Sequence, residues 1–331
     1  MTQELSPELS PEISPEISVV ADIGGTNTRV ALSRDGQILE DTIRRYRNAD
    51  NAGIAPVLDD YLGAQQVTPV AVCVDMAGPV HDGVGTLTNL DWKVDATALK
   101  AETGAARVAV LNDLQAQGFA VAHLGHDSLS PVLTGREAAA DAVRLVVNVG
   151  TGLNAVPVYS QGGRTMVPPA EAGHISLLAR TAEELRLIDW IADRHGQPGV
   201  EDVLSGRGLE RLYAWVCHDE GDGVPLPAAE VMAGFEAGQP RARRAARLFV
   251  HILGRYTGDL ALTTLPFGGI YLVGGVTRHL GPHLRGLGFA EAFADKGRFN
   301  AYMTQFPVDL VTDDYAALRG CAAHLAELTA G

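Results

Sequence analysis

Val19-Val20-Ala21-Asp22-Ile23-Gly24-Gly25-Thr26-Asn27-Thr28-Arg29-Val30-Ala31-Leu32 is the stretch from which the fold can be read. An apolar β-rich run, a glycine turn and a second β-rich run ending before Asp35-Gly36 predict a β-hairpin. The turn has unusual chemistry. Asp22 places a carboxylate at the end of a buried strand, Gly24 and Gly25 leave backbone N–H groups uncovered by any Cβ, and Thr26 adds a hydroxyl before Asn27. Such amides form an anion-binding concavity, and the carboxylate can hold a magnesium-bound water. The residues from Asp22 through Ile23 to Asn27 therefore describe a triphosphate site, although Gly-Gly alone would equally suit a hairpin turn with a capping aspartate.

Working outward, a helical stretch near 54–62 precedes the apolar strand Val70-Ala71-Val72-Cys73-Val74 and a loop holding Gly78-Pro79, Asp82-Gly83 and Gly85. A strand at 106–111 ends at Asn112-Asp113 and opens onto an amphipathic helix through Leu114, Phe119 and Val121. Strands alternating with helices argue for an α/β fold. A second strand-turn-strand unit follows, with Leu145-Val146-Val147-Asn148-Val149, Gly150-Thr151-Gly152-Leu153-Asn154 and Ala155-Val156-Pro157-Val158. Two similar hairpins so far apart suggest two related lobes, each offering a glycine turn to a shared cleft. Helices are expected at 181–195, 200–215 and 241–265, a strand Ile270-Tyr271-Leu272-Val273 runs into Gly274-Gly275, and a helix at 316–328 closes the chain.

The chain has 331 residues, enough for two domains or one bilobed unit. Its longest apolar run, 268–276, falls far short of the ~18 residues of a membrane span. A net charge of −14 repels nucleic-acid phosphates and anionic lipid, so no nucleic-acid or membrane partner is expected. Cys73, Cys217 and Cys321 are too dispersed for a zinc knuckle or a redox pair and fit a reducing cytoplasm. In residues 1–17, MTQELSPELSPEISPEI, Ser-Pro-Glu-Leu/Ile occurs three times; proline every fourth residue predicts a disordered tail, and without a cationic and an apolar region it is not expected to be a secretion signal.

Several chemistries lack their motif. There is no Gly-Lys dipeptide for a P-loop, Gly150-Thr151-Gly152 followed by Leu153-Asn154 does not complete G-x-G-x-x-G, and no serine sits in G-x-S-x-G. Glu171 and His174 have metal-ligand spacing, but Pro168-Pro169 and Gly173 disfavour the helix that such a pair needs, so no metal is expected there.

From Val19 to about Leu325, the ordered blocks ADIGGTNTRVAL, LTNLDW, VLNDLQAQGFA, GTGLN, PAEAGH, VEDVLSGRGLERLY, FGGIYLVGGV and ADKGRF resemble the bacterial glucokinases of the hexokinase, heat-shock-protein and actin superfamily. No cysteine cluster follows Gly173-His174, which resembles the zinc-free branch. The resemblance implies a bilobed actin-like ATPase fold of the ribonuclease H-like type, with two α/β lobes around a central cleft: residues 18–112 plus 312–331 against 113–311. It implies ATP-dependent phosphorylation of glucose at its 6-hydroxyl, with ATP and Mg2+ as cofactors and a cytoplasmic homodimer.

It also implies roles. Asp113 matches the catalytic base; read alone, Asn112 or Asp113 would be a helix N-cap, and a carboxylate at a helix start is expected to stay ionised. Asn112, Glu171, His174, Glu201 and Asn89 match the sugar site, where carboxylates suit vicinal hydroxyls; Glu201 alone would read as a first-turn acid of a helix, and Trp92 as core. Gly150, Thr151 and Gly152 match the second phosphate turn. Gly274 and Gly275 match the rest for the adenosine end, where a packed strand terminus is the other reading. Asn154, where many bacterial members carry glycine, Thr277-Arg278-His279 and Asp314-Tyr315-Ala316-Ala317-Leu318 depart from the family pattern and are expected to bear on donor binding. Rival readings are a kinase for mannose, fructose or an N-acetylated sugar, a silent sugar sensor, and an ATPase without a small acceptor.

Overall fold

A computed structural model describes residues 16–87 and 90–329. Strands β1 (Ser18–Ile23) and β2 (Asn27–Arg34) form the expected hairpin, in register from Ser18 opposite Ser33 to Ile23 opposite Thr28. Strand alternation divides its side chains between two cores. Val19, Ala21, Ile23, Val30 and Leu32 pack with the apolar side of helix α1 (Ile54–Gln65), whereas Val20 and Ala31 face the opposite way. Short strands β3 (Gln37–Ile38) and β4 (Arg44–Arg47) also pair with β2. The apolar run at 70–76 becomes β5 (Ala71–Met76), buried at every position as a central parallel strand requires.

A small meander of β6 (Val80–His81), β7 (Val84–Thr86) and β8 (Lys93–Asp95) leads to helix α2 (Ala96–Thr103), whose N-terminus is capped by Asp95 accepting from the Thr97 N–H at 2.9 Å. Strand β9 (Arg107–Asn112) then pairs parallel with β5 and passes directly into helix α3 (Asp113–Ala120). The first sheet thus runs β3-β2-β1-β5-β9.

The second sheet contains β10 (Leu129–Leu133), β11 (Arg144–Val149), β12 (Leu153–Gln161), β13 (Arg164–Met166), β14 (Ile270–Val273) and β15 (Val308–Val311), in the order β13-β12-β11-β14-β15-β10. From β13 to β15 it repeats the first sheet: two antiparallel pairs followed by two parallel ones. The duplication read from the two glycine hairpins is therefore structural, with Asn148 in β11 standing where Asp22 stands in β1.

Helices α4 (Ala182–His195), α5 (Gly206–Asp219), α6 (Ala228–Glu236), α7 (Pro240–Thr264), α8 (Gly275–Leu280), α9 (Phe289–Ala294) and α10 (Asn300–Met303) accompany the second sheet, and α11 (Ala316–Thr329) ends the described chain. A middle core joins the sheets: Val20 and Cys73 of the first and Val146, Val156 and Tyr271 of the second meet around Leu114 and Phe119 of α3 and Leu318 and Cys321 of α11. Helices α3 and α11 touch backbone to backbone, since a Cβ on Gly320 would lie 1.7 Å from the Ala116 carbonyl oxygen.

Two expectations need correction. The single helix expected at 200–215 is a 3-10 turn at Val200–Asp202 followed by α5, because Ser205 caps a fresh helix by accepting from the Gly208 N–H at 3.0 Å. The predicted tail lies outside the described residues up to position 15, but its last residue is ordered: the Ile17 carbonyl accepts from the Val70 N–H at 2.9 Å, and its side chain packs against the core. Among the described residues, no helix is long and apolar enough to cross a membrane.

Candidate active site

Because β1 and β5 are parallel and β9 is parallel to β5, all three deliver their C-terminal ends to one edge of the first sheet. Asp22 lies at the end of β1, opposite Arg29 in the hairpin register, and its Oδ2 accepts from the Arg29 guanidinium at 2.9 Å. The glycine turn beyond Ile23 is closed by the Gly24 N–H donating to the Asn27 carbonyl at 3.0 Å, with Gly25 and Thr26 exposed. Asn48, which sequence reasoning missed, braces this turn. Its Nδ2 donates to the Gly24 carbonyl at 2.7 Å, its Oδ1 accepts from the Thr28 hydroxyl at 2.8 Å, and its N–H donates to the Thr26 carbonyl at 2.9 Å.

At the end of β9, Asn112 is the N-cap of α3, and its Oδ1 accepts from the Leu114 N–H at 3.0 Å. Gln115 completes the capping box by accepting from the Asn112 N–H, and Asn112 Nδ2 reaches across to the Gly78 carbonyl at 2.9 Å. Asp113 is the first residue of the helix and takes the Leu114 N–H at 2.9 Å. Loss of hydration in the packed cleft raises its pKa to about 6, helped by the negative charge of Asp22 and opposed by the Leu114 N–H. The pKa rises despite the helix-start N–H groups because burial outweighs them, yet at about 6 it leaves the carboxylate ionised at neutral pH, as expected.

A third carboxyl, also unforeseen, sits beside these two. Asp75 of β5 pairs in register with Asp22 and is fully buried; Cys321 Sγ–H donates to its Oδ2 at 3.3 Å, while Oδ1 has no hydrogen-bond partner among the described residues. Burial first, then the neighbouring Cys321, Asp22 and Asp113, push its pKa well above the ordinary carboxylate value. A lone acid inside an apolar strand was the available signal.

The second sheet supplies the facing wall. The Gly150–Gly152 turn closes through the Gly150 N–H to the Gly152 carbonyl at 2.9 Å, and the Gly150 carbonyl accepts from Gly206 at the start of α5 at 2.9 Å. Gly274, with φ of +101°, turns the chain from β14 into α8 so tightly that a Cβ would stand 2.4 Å from the Val149 carbonyl oxygen. Gly275 begins α8 beside Gly150, so this turn adjoins the Gly150–Gly152 turn. Thr277 is buried and donates to the Val273 carbonyl at 2.7 Å, and Arg278 pairs with Asp314, which links two of the sequence departures to each other.

Glu171 precedes and His174 ends a 3-10 turn, Ala172–His174, and both residues are exposed. A cavity of about 230 Å³ is lined by Pro79, Val80, Asn112, Gln115, Ala170 and Glu171, so residues far apart in sequence share one wall. A larger cavity of about 650 Å³ lies between α1 and the end of α2, away from these groups. Glu201 accepts from the Leu153 N–H at 2.8 Å, and Arg207 stands 3.6 Å from its other oxygen. It belongs to the 3-10 turn rather than to a helix first turn. Asn89 lies outside the described residues. No group of three or more His, Cys, Asp or Glu that could hold a metal ion occurs among the described residues. A single carboxylate, Asp22, still suits magnesium that keeps most of its waters and rests on substrate phosphates.

The glucokinase family model matches residues 19–328. The chain belongs to the glucokinase family. It is 32% identical over 314 residues to the glucokinase of Pectobacterium atrosepticum, covering 94% of this chain and 97% of that one. The crystal structure of a glucokinase from an Antarctic psychrotroph superposes with a TM-score of 0.87 at 30% identity, covering 94% of this chain and 99% of the other. A ROK family glucokinase from Streptomyces griseus in complex with glucose and AMPPNP shares the fold at a TM-score of 0.62 and 20% identity, covering 94% of this chain and 99% of that one. The duplicated sheets are thus the actin-like ATPase arrangement of the sugar kinases.

Within the glucokinase family frame, one departure needs a new place. The side chain of Asn154 bonds the Ala170 carbonyl and the Ala172 N–H, on either side of Glu171. Although it lies two residues beyond the second glycine turn, strand alternation turns its side chain toward the loop that bears Glu171.

Proposed function

We propose that this glucokinase-family chain transfers the γ-phosphoryl group of ATP to the 6-hydroxyl of glucose, with Asp113 as the general base. The observation that carries the reading is the seat of Asp113: a strand-end carboxylate fixed by the Leu114 N–H, close enough to Asp22 to feel its charge, and next to Asn112 of the cavity that Glu171 lines. A pKa of about 6 leaves the group ionised at neutral pH yet basic enough to accept a proton.

In this mechanism Asn112, Glu171, His174 and Glu201, with Asn89, bind the sugar hydroxyls and aim the 6-hydroxyl at the phosphoryl group. Asp113 takes its proton as the oxygen attacks. The Gly24–Asn27 and Gly150–Gly152 turns direct backbone N–H groups at the phosphates, and Gly274-Gly275 supports the adenosine end. Asp22 would hold magnesium through a water, and the bound ion would neutralise charge on the transferred group. The two sheets act as lobes, 18–112 plus 312–331 against 113–311, whose closure expels water so that sugar is the acceptor. A cytoplasmic homodimer belongs to the same proposal.

Coupled ADP release with ATP–magnesium and glucose, mannose, fructose or N-acetylglucosamine tests it. Wild type should turn over with glucose, and Asp113→Ala should lose about 10²–10⁴-fold in kcat while still binding glucose. ADP release indifferent to every sugar would replace the reading with an ATPase, and glucose binding without turnover in wild type would replace it with a sensor.

A further inference from the structure

We infer that Asn154 is a positioning residue for the hexose: its side-chain amide fixes the loop bearing Glu171, so that the start of β12 sets how tightly and how selectively sugar is held. The inference rests on the glucokinase reading proposed above. Three hydrogen bonds define the role. Asn154 Nδ2 donates to the Ala170 carbonyl at 2.5 Å, and its Oδ1 accepts from the Ala172 N–H at 2.9 Å and from the Ala155 N–H at 2.8 Å. One planar amide therefore grips the backbone immediately before and immediately after Glu171, and the bond to Ala155 anchors that amide to its own strand.

Glu171 needs this support, because its carboxylate has no protein hydrogen-bond partner among the described residues and its placement comes from the flanking backbone. Besides Asn154, the loop is held by the Tyr256 hydroxyl donating to the Ala172 carbonyl at 3.0 Å and by the internal bond from the His174 N–H to the Glu171 carbonyl at 3.1 Å. The residue preceding Asn154 does similar work for the other acid, since the Leu153 N–H holds Glu201. Leu153 and Asn154 follow the Gly150–Gly152 phosphate turn directly, so one short segment continues from that turn into the residues that brace Glu201 and the backbone on either side of Glu171. A glycine at 154 would supply none of the three side-chain bonds.

The test compares wild type with Asn154→Gly and Asn154→Ala in steady-state assays with glucose and with mannose, and in hydrogen–deuterium exchange of the free proteins. The expected result is a glucose KM raised about tenfold or more, an ATP KM within about twofold of wild type, and a smaller kcat/KM ratio of glucose over mannose. Exchange should speed up in the peptide covering 168–175 and stay unchanged in α7. Two folded variants with wild-type glucose KM and wild-type exchange in that peptide would overturn the inference, as would equal weakening of glucose and ATP. Glycine at this position keeps the comparison available should alanine fail to fold. Loss of glucose turnover in wild type itself would overturn the proposed function instead, and the exchange data would still decide whether Asn154 pins the loop.

Discussion

Asp113 shows how opposing local effects set one side chain's chemistry. Its helix-start N–H favours the carboxylate, whereas burial and Asp22 favour the acid, and the second pair wins. A raised pKa means that the base is protonated below about pH 6, so kcat/KM for glucose should fall toward tenfold per pH unit below that point and level off above it. A profile flat down to pH 5 would remove Asp113 from the role of base. Asp75 gives a stability prediction of the same sign. Its folded pKa lies well above the unfolded value, so folding binds a proton that the unfolded chain has already lost, and this group costs stability as pH rises above about 4. Asp75→Asn should therefore gain on wild type between pH 4.5 and pH 7.5 in urea unfolding of the EDTA-treated protein. An equal difference at both pH values would show that Asp75 is not held neutral. Asp113 could be picked out from the Asn-Asp pair at a strand end, but not the direction of its pKa, because that depends on groups brought in by β1 and β5.

Elements place these residues through close contacts that have little local signature. The N-terminus of α3, and with it Asp113, is set by the packing of α3 on α11, where Gly320 meets the Ala116 backbone. Alanine would gain about 1 kcal/mol of helix propensity at Gly320. The clash at 1.7 Å should outweigh it, since overpacking costs about 1–3 kcal/mol and the helices can relax only by separating. Gly320→Ala should thus lower both thermal stability and kcat; unchanged kcat in a destabilised protein would detach the α3 position from catalysis. Asn48 acts similarly on the Gly24–Asn27 turn, and if that turn holds phosphate as proposed, Asn48→Ala should raise the ATP KM severalfold more than the glucose KM, as initial-rate kinetics would read. The elements themselves were largely legible: the hairpins, α1, β5, β9 and α7 follow from periodicity and turn residues. The break before α5 was not, because Ser205 and Gly206 sit inside a continuous helical pattern and the 3-10 turn is fixed by Glu201 reaching Leu153 on another strand.

At the scale of the molecule, two sheets of matching topology share a middle core around α3 and α11, and in the proposed mechanism a hexose held by Asn112 from one side and by Glu171 and Glu201 from the other would tie the halves together. Glucose should reduce the radius of gyration in solution scattering, and at a hundredfold excess over Kd it should stabilise the fold by about 2.7 kcal/mol. Stabilisation without compaction would argue against closure. The sequence by itself determined the duplication, the glycine turns, the family and the acids at strand ends, because each is written in contiguous residues whose spacing has a local physical cause. The fold in three dimensions settled that burial raises the pKa of Asp75, that Asn48 braces one turn, and that Asn154 bonds the backbone on either side of Glu171. Those properties arise from burial and from hydrogen bonds between segments distant along the chain, and no local pattern encodes which backbone group a buried amide will meet.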